Sequence, residues 1–144
     1  MPIELKAMIL IRNDNKILAS KGFDKEKREI FYRLLGGHIE FQESAEAAIR
    51  REIMEEINSE INKLKLISII ENIFTYQGNP GHEIDYLYKG RLSNTSLYVQ
   101  NPIPLQEEGE FQTADWIPIR QLISKQFPLY PPFDYKSLFQ GKPD

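Results

Sequence analysis

A chain of 144 residues has the length of one ordinary domain and can bury a core without a disulfide or a structural metal. Its 41% hydrophobic and 27% charged residues are those of a soluble globular protein, and the absence of cysteine excludes disulfides, thiolate zinc sites and a cysteine nucleophile. A formal net charge of −3 argues against a broad nucleic-acid-binding surface, but not against a small anionic ligand that arrives with a cation.

Lys6–Arg12 and Lys16–Ser20 are strand-like runs, and Asn13-Asp14-Asn15 between them supplies residues that tolerate turn geometry, so a hairpin is expected. The apolar run Ala7–Ile11 is too short for a signal-peptide core or a membrane span and is expected to be a buried strand of a cytoplasmic protein. Gly22–Glu29 is charged and reads as a loop. Ile30–Leu35 reads as a short strand running into Gly36-Gly37. Ser44–Ile57 is the strongest helix, with Ser44 as its N-cap and Glu46 in the first turn, where the helix dipole favours an acid. Ala45, Ile49, Ile53 and Ile57 recur at every fourth residue and make one apolar stripe. Asn58 is suited to a left-handed helix exit.

Leu64–Thr75 and Ile84–Leu92 are expected strands, separated by the turn cluster Gln77-Gly78-Asn79-Pro80-Gly81. Ser93–Gly109 reads as a long loop and Thr113–Ile117 as a strand. Pro118 opens a short helix through Ile123. The tail Phe127–Asp144 is rich in proline and aromatic residues, with one helical turn expected near Tyr135–Phe139. There is no internal repeat or linker, so residues 1–144 are expected to form a single domain. The order of strands, helix, strands, helix implies an α/β (α+β) fold with a mixed sheet covered by helices.

The chemistry concentrates after Gly36, in GGHIEFQESAEAAIRREIMEEINSEI. On a helix Glu52, Glu55 and Glu56 are spaced i, i+3, i+4 and fall within one arc of roughly 100°. Three carboxylates on one arc repel one another, and a hard divalent cation relieves that cost. Oxygen-only ligands point to Mg²⁺ or Mn²⁺ rather than zinc. The apolar stripe lies beside the acid arc, so the helix buries one flank and turns the next toward a cleft. Gly36-Gly37 allow a backbone to approach a ligand closely.

Glutamate-rich helix faces are commonly just solvated surface, but here a glycine, an isolated glutamate and an Arg-Glu pair stand at fixed offsets as well. The segment Gly37–Ser59 resembles the Nudix box, G-x5-E-x7-R-E-U-x-E-E-x-G-U, with U a bulky apolar residue. Gly37, Glu43, Arg51-Glu52-Ile53 and Glu55-Glu56 match, seven of the nine specified positions; Asn58 and Ser59 depart from it. Asn58 tolerates the left-handed conformation the glycine would adopt, and Ile61 is a candidate to replace the packing lost at Ser59.

The resemblance implies a Nudix-type α/β/α sandwich and metal-dependent attack of water on a phosphorus of a diphosphate. It implies Glu52, Glu55 and Glu56 as metal ligands, with the Gly37 carbonyl as a main-chain ligand. It further implies that Arg51 orients Glu52, and that Glu43 is an accessory ligand or a partner of Arg51. The general base is left open between a box glutamate and Glu83, Glu107, Glu108 or Glu110. Arg33 is the best phosphate-binding candidate and Tyr76 a stacking candidate; Phe31, Tyr32, Phe74, Tyr86 and Tyr88 read more simply as sheet packing, and His38 and His82 as surface or turn histidines. The implied ligand is a small nucleotide, with no stable nucleic-acid or membrane partner; a pair of copies in solution is compatible with the sequence. Competing readings are a regulatory nucleotide-binding domain that does not cut, against which the retained box acids argue, and an RNA 5′-end hydrolase, against which the missing basic stripe argues. An isomerase of the same fold would need a cysteine the chain lacks.

Overall fold

A computed structural model of the chain describes residues 2–106, 111–124 and 127–140. β1 (Glu4–Asn13) and β2 (Lys16–Asp24) form the expected hairpin, closed with Asp14 at φ 55°. β3 (Glu29–His38) follows, then α1 (Ala45–Ile57), β4 (Ile61–Tyr76) and β5 (Asn79–Leu92). After a 3-10 turn at Thr95–Val99 come β6 (Ile103–Pro104), β7 (Thr113–Pro118), α2 (Ile119–Ile123), β8 (Leu129–Tyr130) and α3 (Tyr135–Phe139). Among the described residues the strands join in the order β4-β5-β1-β3-β2-β7-β6, with β8 beside β3. β1 runs parallel to β5, and β8 parallel to β3; the other pairs are antiparallel, so the sheet is mixed.

The period-2 alternation of β1 divides the interior. Ala7, Ile9 and Ile11 pack with Ala48, Ile49, Ile53 and Ile57 of α1, whereas Met8 and Leu10 pack with Leu122 of α2 and Tyr135 of α3. Helices therefore cover both faces of the sheet, as an α/β/α sandwich requires. No helix of the described residues is long and apolar enough to cross a membrane.

Three segments differ from the sequence expectation. The stretch 22–29 is not all loop: β2 continues to Asp24 and β3 starts at Glu29. The buried Asp24 carboxylate explains why so charged a stretch can turn tightly, because it accepts the backbone N–H groups of Glu26 (3.0 Å), Lys27 (3.1 Å) and Gln77 (3.1 Å). It thereby ties the β2–β3 turn to the β4–β5 turn. In the second of these, Gln77 (φ 50°) and Gly78 (φ 80°) both adopt positive φ, as a two-residue type I′ hairpin demands, so β5 begins already at Asn79. The stretch 93–109 is not a bare loop either: within its described part Trp116 Nε1 donates to the carbonyls of Leu97 (3.0 Å) and Gln100 (3.1 Å) and anchors the 3-10 turn.

α1 begins and ends as its sequence dictates. Ser44 Oγ accepts the Ala47 N–H at 3.1 Å, and Asn58 closes the helix in the left-handed region at φ 52°, ψ 53°. Ser59, buried where the box pattern has an apolar residue, uses its hydroxyl instead: Oγ donates to the Glu60 carbonyl (2.9 Å) and accepts the Asn94 N–H (3.1 Å). Ile61 fills the α1-side core.

Candidate active site

The β3–α1 connection places Gly37 against α1. A Cβ built on Gly37 would stand 2.4 Å from the Glu52 Cδ and 2.6 Å from each of its carboxylate oxygens. Only the missing side chain lets this carboxylate lie on the backbone there. Gly36 has a different task. Its φ is +152°, and a Cβ there would meet the Ala7 carbonyl oxygen at 2.0 Å, so it lets β3 cross close to β1.

Arg51 joins the acids. Its Nε and Nη2 grip both Glu43 carboxylate oxygens (2.8 and 3.0 Å), Nη1 reaches Glu52 Oε1 (3.0 Å) and Glu55 Oε2 (3.3 Å), and Nη2 also donates to the His38 carbonyl (3.0 Å). This bidentate fork is a strong, directional form of charge pairing. Glu43 is thus the partner of Arg51. The Arg51 hydrogen bond, aided by the Glu40 backbone, holds its carboxyl down to about 2, from an ordinary 4.5, and the same contacts raise the Arg51 guanidinium. A carboxylate lowered by folding contributes stability that is complete above its unfolded value and disappears as pH falls through the folded one. The stability difference between wild type and Glu43→Gln, measured by denaturant unfolding, is therefore expected to shrink as pH drops from 4.5 toward 2. A difference constant across that range contradicts the assigned ion pair.

Glu56 is the most buried acid of the helix, 6% exposed, and its backbone carbonyl accepts the N–H of Gln106 at 3.1 Å. Glu107, Glu108 and Glu110, the loop candidates for a general base, lie outside the described residues. Among the described residues no three acidic or histidine side chains stand close enough together to enclose a metal ion. Glu52 and Glu55 turn toward Arg51 instead.

Glu83 pairs with a lysine of β1. Its Oε2 is 2.7 Å from Lys6 Nζ, and both residues line a cavity of about 670 Å³ among β1, β3, β4, β5 and β8. Arg33 and Tyr76, the expected substrate residues, line the same cavity. The Arg33 guanidinium lies 3.9 Å from the centre of the Phe111 ring, and Phe31 meets Tyr76, Tyr130 and Phe111 edge-on at 5.6, 5.7 and 6.1 Å. Tyr32 and Tyr88 instead belong to the two cores. Phe111 and Tyr130 were invisible to sequence reasoning because they lie far along the chain from the box. The link between cavity and box is His38: its Nε2 is 3.3 Å from Glu4, a cavity residue, and its carbonyl holds Arg51. His82 lines the cavity with its Nε2 3.5 Å from Glu71.

A family model described as NUDIX domain matches residues 3–139. Among solved structures, the chain is similar to a MutT NUDIX hydrolase from Burkholderia pseudomallei at 18% identity and a TM-score of 0.64, covering 96% of this chain and 95% of that one. A NUDIX hydrolase from Nitrosomonas europaea gives 18% and 0.64 with 96% and 87% covered. A protein described as an ADP compounds hydrolase gives 15% and 0.53 with 81% and 58% covered. At these identities the structural likeness shows a shared fold.

Proposed function

The chain belongs to the NUDIX domain family, and we propose that it is a divalent-metal-dependent pyrophosphohydrolase that cuts a diphosphate linkage in a nucleoside diphosphate derivative, water attacking phosphorus. The observation that carries this reading is the fit of the Glu52 carboxylate into the space left open by Gly37. That contact sets the Glu52 carboxylate against the Gly37 backbone, and Glu55 and Glu56 follow on the same helix. An all-oxygen donor set of this kind fits Mg²⁺ or Mn²⁺. Glu52, Glu55, Glu56 and the Gly37 carbonyl would hold the ion, which when bound neutralises diphosphate oxygens and eases loss of the leaving group.

The chain's own residues do the rest. Arg51, fixed by Glu43 and the His38 carbonyl, orients Glu52 and keeps the acid cluster from repelling itself apart. Glu83 is engaged by Lys6, whereas Glu52 lies against the Gly37 backbone, which favours Glu52 as the box candidate for proton acceptor among the described residues. The cavity takes the part of the substrate remote from the bond that breaks, with Arg33 and Tyr76 in its wall.

The test is purified protein with Mg²⁺ against nucleotide sugars, dinucleotides, nucleoside triphosphates and capped RNA, scored for any phosphate-containing product. Cleavage of at least one nucleoside diphosphate compound is expected. Silence across the whole panel sinks the proposal, and cleavage of capped RNA alone moves it to the RNA 5′-end reading.

A further inference from the structure

The wall of the cavity holds a group that the hydrolytic reading does not use. Asp85 is 1% exposed and yet lines the cavity. Neither of its carboxyl oxygens has a hydrogen-bond partner of good geometry, although the Glu83 and Asn72 side chains stand within hydrogen-bonding reach and shift its titration. The groups that face it are Glu83 from its own strand, Lys6 from β1, Asn72 from β4 and the Tyr135 phenol from α3. Lys6 is committed to Glu83 at 2.7 Å, and the Tyr135 hydroxyl to the Pro131 carbonyl. A buried polar group without a partner is costly. In the wall of a ligand cavity, that cost is relieved by a ligand that brings the partner.

We infer that Asp85 is a specificity-determining residue, whose carboxyl group reads a neighbouring pair of hydrogen-bond donor and acceptor atoms on the edge of a nucleobase held between the aromatic side chains of the cavity. The inference rests on the reading of the cavity as the place of the substrate's remote part. Burial, and then the adjacent Glu83, push the Asp85 carboxyl up to about 8, so at neutral pH it carries its proton. A neutral carboxyl offers one O–H donor beside one C=O acceptor. Nucleobase edges present the complementary pair, an N–H beside a ring nitrogen or carbonyl oxygen; a phosphate or an isoprenoid chain does not. Phe31, Tyr76, Phe111 and Tyr130 supply the apolar walls a flat ring requires, and Arg33 lies over one of them. The Glu83 carboxylate is paired with Lys6, which balances the charge of this corner.

The experiment is calorimetric binding of the four common ribonucleosides to the metal-free protein, which needs no hydrolysis. Wild type is expected to bind at least one nucleoside, with affinity falling as pH rises through about 8. Asp85→Asn keeps a donor beside an acceptor at every pH, so it is expected to bind comparably and to lose the pH dependence. Asp85→Leu is expected to weaken binding by about tenfold or more, with thermal melting confirming that both variants fold. Nucleoside binding that is unchanged in Asp85→Leu, or a pH dependence that persists in Asp85→Asn, overturns the inference, as does failure of all four nucleosides to bind wild type. If nucleosides bind as expected but no diphosphate is cut, the inference stands and the hydrolytic proposal fails. If diphosphates are cut while nucleoside binding ignores Asp85, the reverse holds.

Discussion

Glu56→Gln is expected to lower kcat/KM by about a thousandfold while leaving the fold intact. Glutamine fills the same volume, so the packing around this buried position survives; what is lost is one negative charge from the face proposed to hold the cation. Removing a like charge from Glu52, Glu55 and Glu56 also eases their repulsion, so the melting temperature should hold or rise slightly. The mutant's affinity for Mg²⁺, followed by titration, is expected to fall with its activity. Near-wild-type turnover in Glu56→Gln would remove this residue from the metal site.

The second large effect separates two adjacent glycines. In Gly37→Ala the added methyl group meets the end of the flexible Glu52 side chain, which can swing aside. Melting should therefore change little, while kcat/KM falls about a hundredfold because the Glu52 carboxylate leaves its place. In Gly36→Ala the methyl group meets the Ala7 backbone carbonyl, which is fixed in the β1–β3 ladder, at a φ that L side chains rarely adopt. That variant is expected to lose roughly 3 kcal/mol or more of stability. Paired unfolding curves and steady-state kinetics check both. Equal stability losses in the two variants would mean that Gly37, like Gly36, serves the sheet and not the Glu52 carboxylate.

Much of the box was legible because its logic is local. Ser44 caps α1 and Asn58 ends it through contacts within a few residues along the helix, and the four-residue spacing of Ile49, Ile53 and Ile57 marks the flank that is buried. The fold class was legible for the same reason, since strands and helices could be ordered from their periods. Strand lengths were not: Gly22–Glu29 reads as loop, whereas β2 runs to Asp24 and β3 starts at Glu29, with the buried Asp24 tying together two turns that are distant in sequence. The cavity was half legible. Arg33 and Tyr76 line it, but its other walls come from the parallel pairing of β1 with β5 and of β8 with β3, and pairing across such separations leaves no local signature. Asp85 did carry a signal. It sits an even number of residues from Leu87 in β5, so its parity is that of a core position, and an acid at such a position calls for a reason.

Chemistry at phosphorus is the central claim, and hydrolysis in ¹⁸O-labelled water tests it most directly. With the nucleoside diphosphate compound that the panel identifies, Mg²⁺ present, the account predicts one ¹⁸O atom in a phosphate product and none in the group on the other side of the broken bond, with turnover abolished by a chelator and restored by Mg²⁺. Label appearing on carbon, or turnover that persists in the chelator, contradicts it.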